Sequence, residues 1–396
     1  MKLKHNVLYS VKAQRGKKLR CRGWKQECLL RMLENNMENA EAPERLVIYG
    51  GIGKCARNWE SYHAIVKSLK ELENDETLVI QSGMPVAIFK THRLAPRVLM
   101  ANTNIMKATW EIFYDLQDKN LTMFAQYTAG PWEYIGTQGV IQGTFETLGA
   151  VGEQHFGGSL AGRIYFTAGL GGMGRNQPRA MTMHGGVSVI VDANEKIIQR
   201  ALERGFLDTR AGSLEEAIKI AEKAKAEKKV IGIGVPGNAS ELFPKALKLG
   251  WRPDIISEMC PCHDPLSYIP AGYTPEQAAE LRAKDRSLYL RKARESMKKQ
   301  LKAMIDFYEQ GVQVFEYGTS IRKECRDAGM PEKQAMKIPG FVAAYIRPLF
   351  QLGRGPFRWT CLSGEADDLA KMDDLVLKMF PNDKTTVKWI NIARKT

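Results

Sequence analysis

No apolar run in this chain reaches the length of a bilayer span, which argues against a helix crossing a membrane. The first residues, Met1-Lys-Leu-Lys-His-Asn, lack the apolar core and small-residue cleavage site of a secretory signal, so the chain reads as cytoplasmic. Cysteine is sparse: seven among 396 residues, at positions 21, 28, 55, 260, 262, 325 and 361. That odd, scattered set fits a reducing compartment without disulfides. Its one local cluster, Cys260-Pro-Cys262-His263, lacks C-x2-C spacing and a second pair of ligands, so no metal is assigned. Internal repeats and low-complexity segments are missing too. A formal net charge of +14 would suit nucleic acid, yet no zinc finger, helix-turn-helix or aromatic single-strand motif accompanies it. Much of the excess lies in mixed-sign helical stretches such as 282–302, a solvated pattern, and the milder reading is steering of anionic metabolites to a basic surface. Neither nucleic acid nor membrane is expected as a partner.

What is present is a regular α/β alternation. At 44% hydrophobic content and 396 residues, the chain is long enough for two or three globular domains. Apolar periodicity predicts helices over 24–36, 62–72, 110–116 and 142–154, and short strands at Leu46-Val-Ile-Tyr49, 77–83, 86–89 and 98–102. From about residue 140 the order is strand 163–167, glycine turn, strand 187–192, helix 213–228, strand 230–235, helix 240–249 and strand 254–257, with one long helical stretch over 275–311. Ser213 with Glu216 spells a capping box. Strands alternating with helices imply right-handed βαβ units and a parallel sheet covered on both faces.

The motif Gly169-Leu-Gly171-Gly172-Met-Gly174 follows the run Ile164-Tyr-Phe-Thr167 directly, and Asp192 closes the next apolar run. This is the dinucleotide fingerprint in its proper setting. The first glycine permits the tight turn, the second lets backbone approach the pyrophosphate, and the third allows close contact of helix and strand. An acid at the end of the next strand accepts from a ribose diol and favours NAD+ over NADP+, while Lys196 nearby could neutralise a 2′-phosphate. Ligands of such sheets bind beyond the carboxyl ends of the strands, where the glycine turn, Asp192, Asn238 and the 260–263 segment all fall. A second glycine turn, Gly50-Gly51-Ile-Gly53-Lys54, ends the strand at Tyr49 and matches neither a P-loop nor GxGxxG, so an ordinary strand-to-helix turn is the competing reading.

The segments Tyr49-Gly-Gly-Ile-Gly-Lys-Cys-Ala-Arg-Asn-Trp59, Gln81-Ser-Gly83, Ala95-Pro-Arg-Val98, Tyr134-Ile-Gly-Thr-Gln-Gly139, Thr167-Ala-Gly-Leu-Gly-Gly-Met-Gly174 and Gly353-Arg-Gly-Pro-Phe-Arg-Trp359 resemble urocanase, from about residue 18 onward. The resemblance implies an N-terminal core domain over 1–137, a Rossmann-like NAD-binding domain over 138–345, and the start of a C-terminal core domain over 346–396. It implies a lyase of histidine degradation that adds water to urocanate, giving imidazolonepropanoate, with tightly held NAD+ serving as an electrophile rather than a redox co-substrate. It also implies a homodimer. The positions it places on the cofactor are Gly50, Gly51, Gln126, Gly172, Met173, Gly174, Asp192, Lys196, Asn238, Ala239, Met259, Cys260, Pro261, Cys262, His263, Tyr268, Ile269 and Tyr317. Arg358, a planar guanidinium in an Arg-rich loop, is the candidate for the substrate carboxylate.

Three departures from the family pattern carry expectations. Arg175-Asn176 stands where Gly-Ala usually precedes Gln-Pro, which would set a large cation near the pyrophosphate. Met259-Cys-Pro-Cys-His263 stands where a Gln-Thr-Ser-Ala-His type segment is usual, which suggests a modified urocanate, thiol-bearing or methylated. The family usually continues past Thr396 for roughly 100–150 residues that include its active-site cysteine. The competing expectation is therefore an NAD-binding fragment or subunit without activity of its own; a conventional dehydrogenase fits the remaining motifs least.

Overall fold

A computed structural model describes residues 10–102, 109–353 and 359–395. The chain divides into two compact units, one formed by Met1–Gly139 and Arg358–Ile390, the other by Val140–Phe357 and Asn391–Thr396.

In the first unit, α1 (Trp24–Glu38) is followed by a short antiparallel hairpin of β1 (Val47–Tyr49) and β2 (Gly53–Lys54), then α2 (Trp59–Glu71). Asn58 caps α2 by accepting from the Ser61 N–H at 2.8 Å. β3 (Glu76–Gln81) pairs antiparallel with β4 (Met84–Lys90) and parallel with β5 (Val98–Ala101), and α3 (Trp110–Asp118) follows. The glycine turn after Tyr49 therefore reverses the chain into a hairpin; it does not lead into a helix. Gly50 and Gly51, at φ +67° and +78°, supply left-handed conformations in the three-residue connection between Tyr49 and Gly53.

The second unit is the α/β body. After α4 (Thr137–His155) come β6 (Ile164–Ala168), α5 (Asn176–Met183), β7 (Val187–Asp192), α6 (Glu195–Glu203), β8 (Thr209–Arg210), α7 (Leu214–Ala226), β9 (Ile231–Pro236), α8 (Ala239–Lys248), β10 (Ile255–Ile256), α9 (Pro275–Lys284), α10 (Arg286–Glu309), β11 (Gln313–Val314) and α11 (Ile321–Asp327). All six strands are parallel, in the order β11-β10-β6-β7-β9-β8. The order reverses between β6 and β10, the switch point at which such sheets open a crevice. β7 is buried on both faces: Val187, Val189 and Val191 pack with α7 and α8, while Ile190 packs with Ile198, Ala201 and Leu207 on the other side.

Two local readings of the sequence are corrected here. Ser213 Oγ accepts from the Glu216 N–H at 3.2 Å, but the Glu216 carboxylate turns to the Gly212 N–H at 2.7 Å, so α7 has a cap and not a reciprocal box. The reciprocal box belongs to α9, between Thr274 and Gln277. The stretch 275–311 is two helices, because Asp285 leaves the helical conformation (φ −146°, ψ 87°) and caps α10 through the Leu288 N–H at 2.8 Å.

Candidate functional site

The crevice at the switch point is built from backbone. Gly169 leaves β6 at φ +88°, and a Cβ there would lie 2.5 Å from the Met259 carbonyl oxygen and 2.9 Å from the Cys260 nitrogen. Only glycine lets the two turns approach so closely. The contact is reinforced by the Met259 N–H, which donates to the Ala168 carbonyl at 2.7 Å. A Cβ on Gly174 would sit 1.9 Å from the Gly169 carbonyl oxygen, which makes this the tight-packing glycine. Gly171 differs: it is exposed, and a Cβ there meets nothing within 4 Å. Among the described residues the N–H groups of Gly171, Met173 and Gly174 have no hydrogen-bond partner. Unpartnered amides around an open glycine, leading into α5, make an anion cradle.

Beneath the cradle, Gln177 Oε1 accepts from Tyr165 Oη at 2.6 Å, Thr167 Oγ1 at 2.8 Å and Ser257 Oγ at 3.1 Å. This buried set ties the first turn of α5 to β6 and to the end of β10. Arg175 lies with its guanidinium 5.1 Å from the centre of the Phe206 ring.

Asp192 ends β7 facing the glycine turn. Its Oδ2 accepts from the Leu170 N–H at 2.7 Å and its Oδ1 from the Asn194 N–H at 2.8 Å. Burial raises the Asp192 carboxyl, and these two amides oppose the rise. Beyond it runs an open groove of about 1050 Å³ lined by Asn194, Lys196, Arg200, Asn238, Tyr273 and Glu276, among others. Lys196 pairs there with Glu276 at 2.9 Å, both largely exposed. Asn238 caps α8 through the Ser240 N–H at 2.9 Å and donates to the Ile269 carbonyl at 2.8 Å, clipping the 268–269 loop to the end of β9; Ala239 opens α8.

The 259–263 turn closes the other side of the crevice. Cys260 and Cys262 are buried, Met259, Pro261 and His263 half-buried. Burial pushes both thiols well above their ordinary value, as does the neighbouring Glu258, so they stand as thiols and not as thiolates. Tyr268 donates to Gln300 Oε1 at 2.8 Å, and Gln300 Nε2 lies 3.7 Å from Cys260 Sγ. Tyr317 donates to Thr144 Oγ1 at 3.1 Å and stacks on Phe341, ring centres 4.5 Å apart.

Gly50, Gly51 and Gln126 lie together in the first unit. A Cβ on Gly50 would meet Gln126 Oε1 at 2.4 Å, so the amide lies flat on the hairpin turn. Gln126, itself at φ +47°, has a buried Oε1 with no hydrogen-bond partner among the described residues. Arg358 lies outside the described residues.

Sequence reasoning missed Glu258 and Thr319. Glu258 is fully buried and accepts from the Cys260 N–H at 3.1 Å; its other oxygen makes a short contact with Thr319 Oγ1. Burial, and then the charge of Glu316, push this carboxyl up to about 8. The signal was available: Glu258 follows an apolar strand at the carboxyl edge of the sheet, the same cue that singled out Asp192.

The chain matches three family models, the urocanase N-terminal domain over residues 11–133, the urocanase Rossmann-like domain over 136–345 and the urocanase C-terminal domain over 348–396. With a parallel sheet whose switch point carries the glycine cradle, and with these matches along nearly all its length, the chain belongs to the urocanase family.

Proposed function

We propose that this protein is a hydro-lyase of the urocanate hydratase type, adding water to urocanate or a close imidazole acrylate, with NAD+ held in the crevice of the second unit. The observation that carries this reading is the glycine cradle: three unpartnered amides, an open position at Gly171, and Asp192 fixed alongside, in a chain of the urocanase family. The residues present fit the group. The cradle offers N–H donors to a pyrophosphate, and the Asp192 carboxylate retains acceptor capacity for a ribose hydroxyl. The groove past Asp192 has room for an adenosine. Bound there, the cofactor would supply an electron-poor ring for the electron-rich imidazole. The chain's part is to hold the dinucleotide by backbone, to keep the surrounding thiols neutral, and to exclude bulk water with the apolar 259–263 turn. We assign the substrate carboxylate to Arg358 and expect a homodimer.

The test is direct. The purified protein is denatured and its supernatant assayed for NAD+, while the native protein is followed for loss of urocanate absorbance. Stoichiometric NAD+ with turnover supports the reading. Stoichiometric NAD+ without turnover supports the competing reading, a cofactor-binding member that is not active alone. Turnover that requires added NAD+ and yields NADH sinks both.

A further inference from the structure

Glu258 is one of several buried acidic groups that the proposed chemistry does not use, and it borders the crevice. It lies just past the carboxyl end of β10 and directly precedes the 259–263 turn that closes on Gly169. Thr319 Oγ1 is shared between two carboxyls, in short contact with Glu258 Oε1 and 3.5 Å from Glu316 Oε1. Arg322 holds the other Glu316 oxygen at 3.1 Å, and the Ser320 N–H donates to Oε1, the oxygen that faces Thr319, at 2.8 Å. One proton order satisfies every group: Glu258 donates to Thr319, Thr319 donates to the charged Glu316, and the free Glu258 oxygen accepts from the Cys260 N–H. The order fails once Glu258 is ionised, because one hydroxyl cannot donate to two carboxylates. The remaining titratable groups that face Glu258 are Tyr165 on β6, Cys260, Cys262 and Tyr268 in and after the turn, and Cys325 on α11. All five are raised by burial and stay neutral where Glu258 titrates, so none offers a compensating charge.

We propose that Glu258 is a positioning residue of the cofactor crevice: as a neutral carboxyl bridged through Thr319 to Glu316, it pins the 259–263 turn against Gly169, and as a carboxylate it frees that turn. This deepens the proposed function and rests on it only for the consequence, retention of NAD+.

The experiment measures amide hydrogen exchange of Met259, Cys260 and Cys262 against the β7 amides of the same molecule, corrected for intrinsic rates. It compares the cofactor-stripped wild type, Glu258→Gln and Thr319→Val. In the wild type, protection of the turn relative to β7 should fall at least about tenfold between pH 6.5 and 9.5, and Glu258→Gln, which keeps the neutral shape, should hold it within about twofold. Thr319→Val, lacking the bridge, should show the low protection already at pH 6.5. A flat wild-type ratio, or an equal fall in Glu258→Gln, overturns the inference, and the wild-type ratio alone decides if a variant fails to fold. Bound NAD+ is counted in parallel on unstripped protein. Its absence at every pH would overturn the functional reading, while the exchange data still decide the role of Glu258.

Discussion

Replacing two glycines of one motif should have opposite consequences, which separates packing from ligand binding. In Gly174→Ala the new methyl would lie 1.9 Å from the Gly169 carbonyl oxygen, with the Met259 side chain at 3.3 Å. Relief requires more than an ångström of backbone movement where β6 meets α5. Overpacking of this kind costs about 1–3 kcal/mol or more. In Gly171→Ala the methyl meets nothing, and the residue is not in a left-handed conformation, so loss of unfolded-state entropy should stabilise the chain by about 0.4–1 kcal/mol. That same methyl would enter the open space that the proposed pyrophosphate site requires. It should hold the ligand off the N–H groups of Gly171 and Met173 and weaken NAD+ at least about tenfold, or 1.4 kcal/mol. The assay is thermal unfolding of cofactor-stripped protein, read at about 2–4 °C per kcal/mol, together with NAD+ titration calorimetry on the same preparations. Two results would refute the reasoning: equal thermal destabilisation of both variants, or wild-type NAD+ affinity in Gly171→Ala.

Three further outcomes are expected. Asp192→Ala removes the acceptor of the Leu170 and Asn194 amides; calorimetry should show weaker NAD+ binding and a smaller preference over NADP+, with about 1–3 kcal/mol lost in stability. In the first unit, burial alone would raise Glu27, but hydrogen bonds from Arg31 and Arg20 hold it at about 2. A depressed carboxyl stabilises above its unfolded value of 4.5 and loses that contribution as pH falls through 2, so Glu27→Gln should cost about 3 kcal/mol at neutral pH and progressively less in an acid titration followed by circular dichroism. Glu258 has the opposite sign. Its folded value of about 8 exceeds the unfolded 4.5, so stability present below 4.5 drains away as pH rises to 8, at up to about 1.4 kcal/mol per pH unit relative to Glu258→Gln, measured by urea unfolding.

The α/β architecture was legible because its strands are continuous apolar runs bounded by turn residues. The sequence cues for β6, β7 and β9 fall within a residue or so of the observed limits. The glycine motif was equally legible, since Gly169 and Gly174 answer steric demands found at their positions while Gly171 faces open space. What escaped were features fixed by tertiary context. The short α6 is marked only by the Asn194 cap and the stripe Ile197, Ile198, Ala201 and Leu202, and its nine residues carry too little periodicity to stand apart from the Asp192 turn before it. Periodicity could not reveal that Asp285 divides 275–311, since an acid between two basic amphipathic turns looks like any solvated position. Glu258 escaped because a carboxylate is read as exposed unless a partner is in view, and its partners, Thr319 and Glu316, lie some sixty residues away in sequence.

The division of labour in the crevice explains how the chain can depart from the family pattern and keep its cradle. The groups offered to an anion are main-chain amides, and the side chains nearby are occupied in fixing the adjoining backbone and elements: Asp192 on Leu170, Gln177 among three hydroxyls, Asn238 on the loop after the 259–263 turn. An arginine at position 175 can be accommodated because its guanidinium stacks on Phe206, leaving the N–H groups of Gly171 and Met173 without partners among the described residues. Two cysteines in the 259–263 turn are accommodated because they are buried as neutral thiols, supplying volume where a charge would disturb the crevice. The constraint therefore falls on backbone conformation, which a sequence expresses through glycines, while the same side-chain positions remain open to changes that reshape the part of the cleft a substrate would meet.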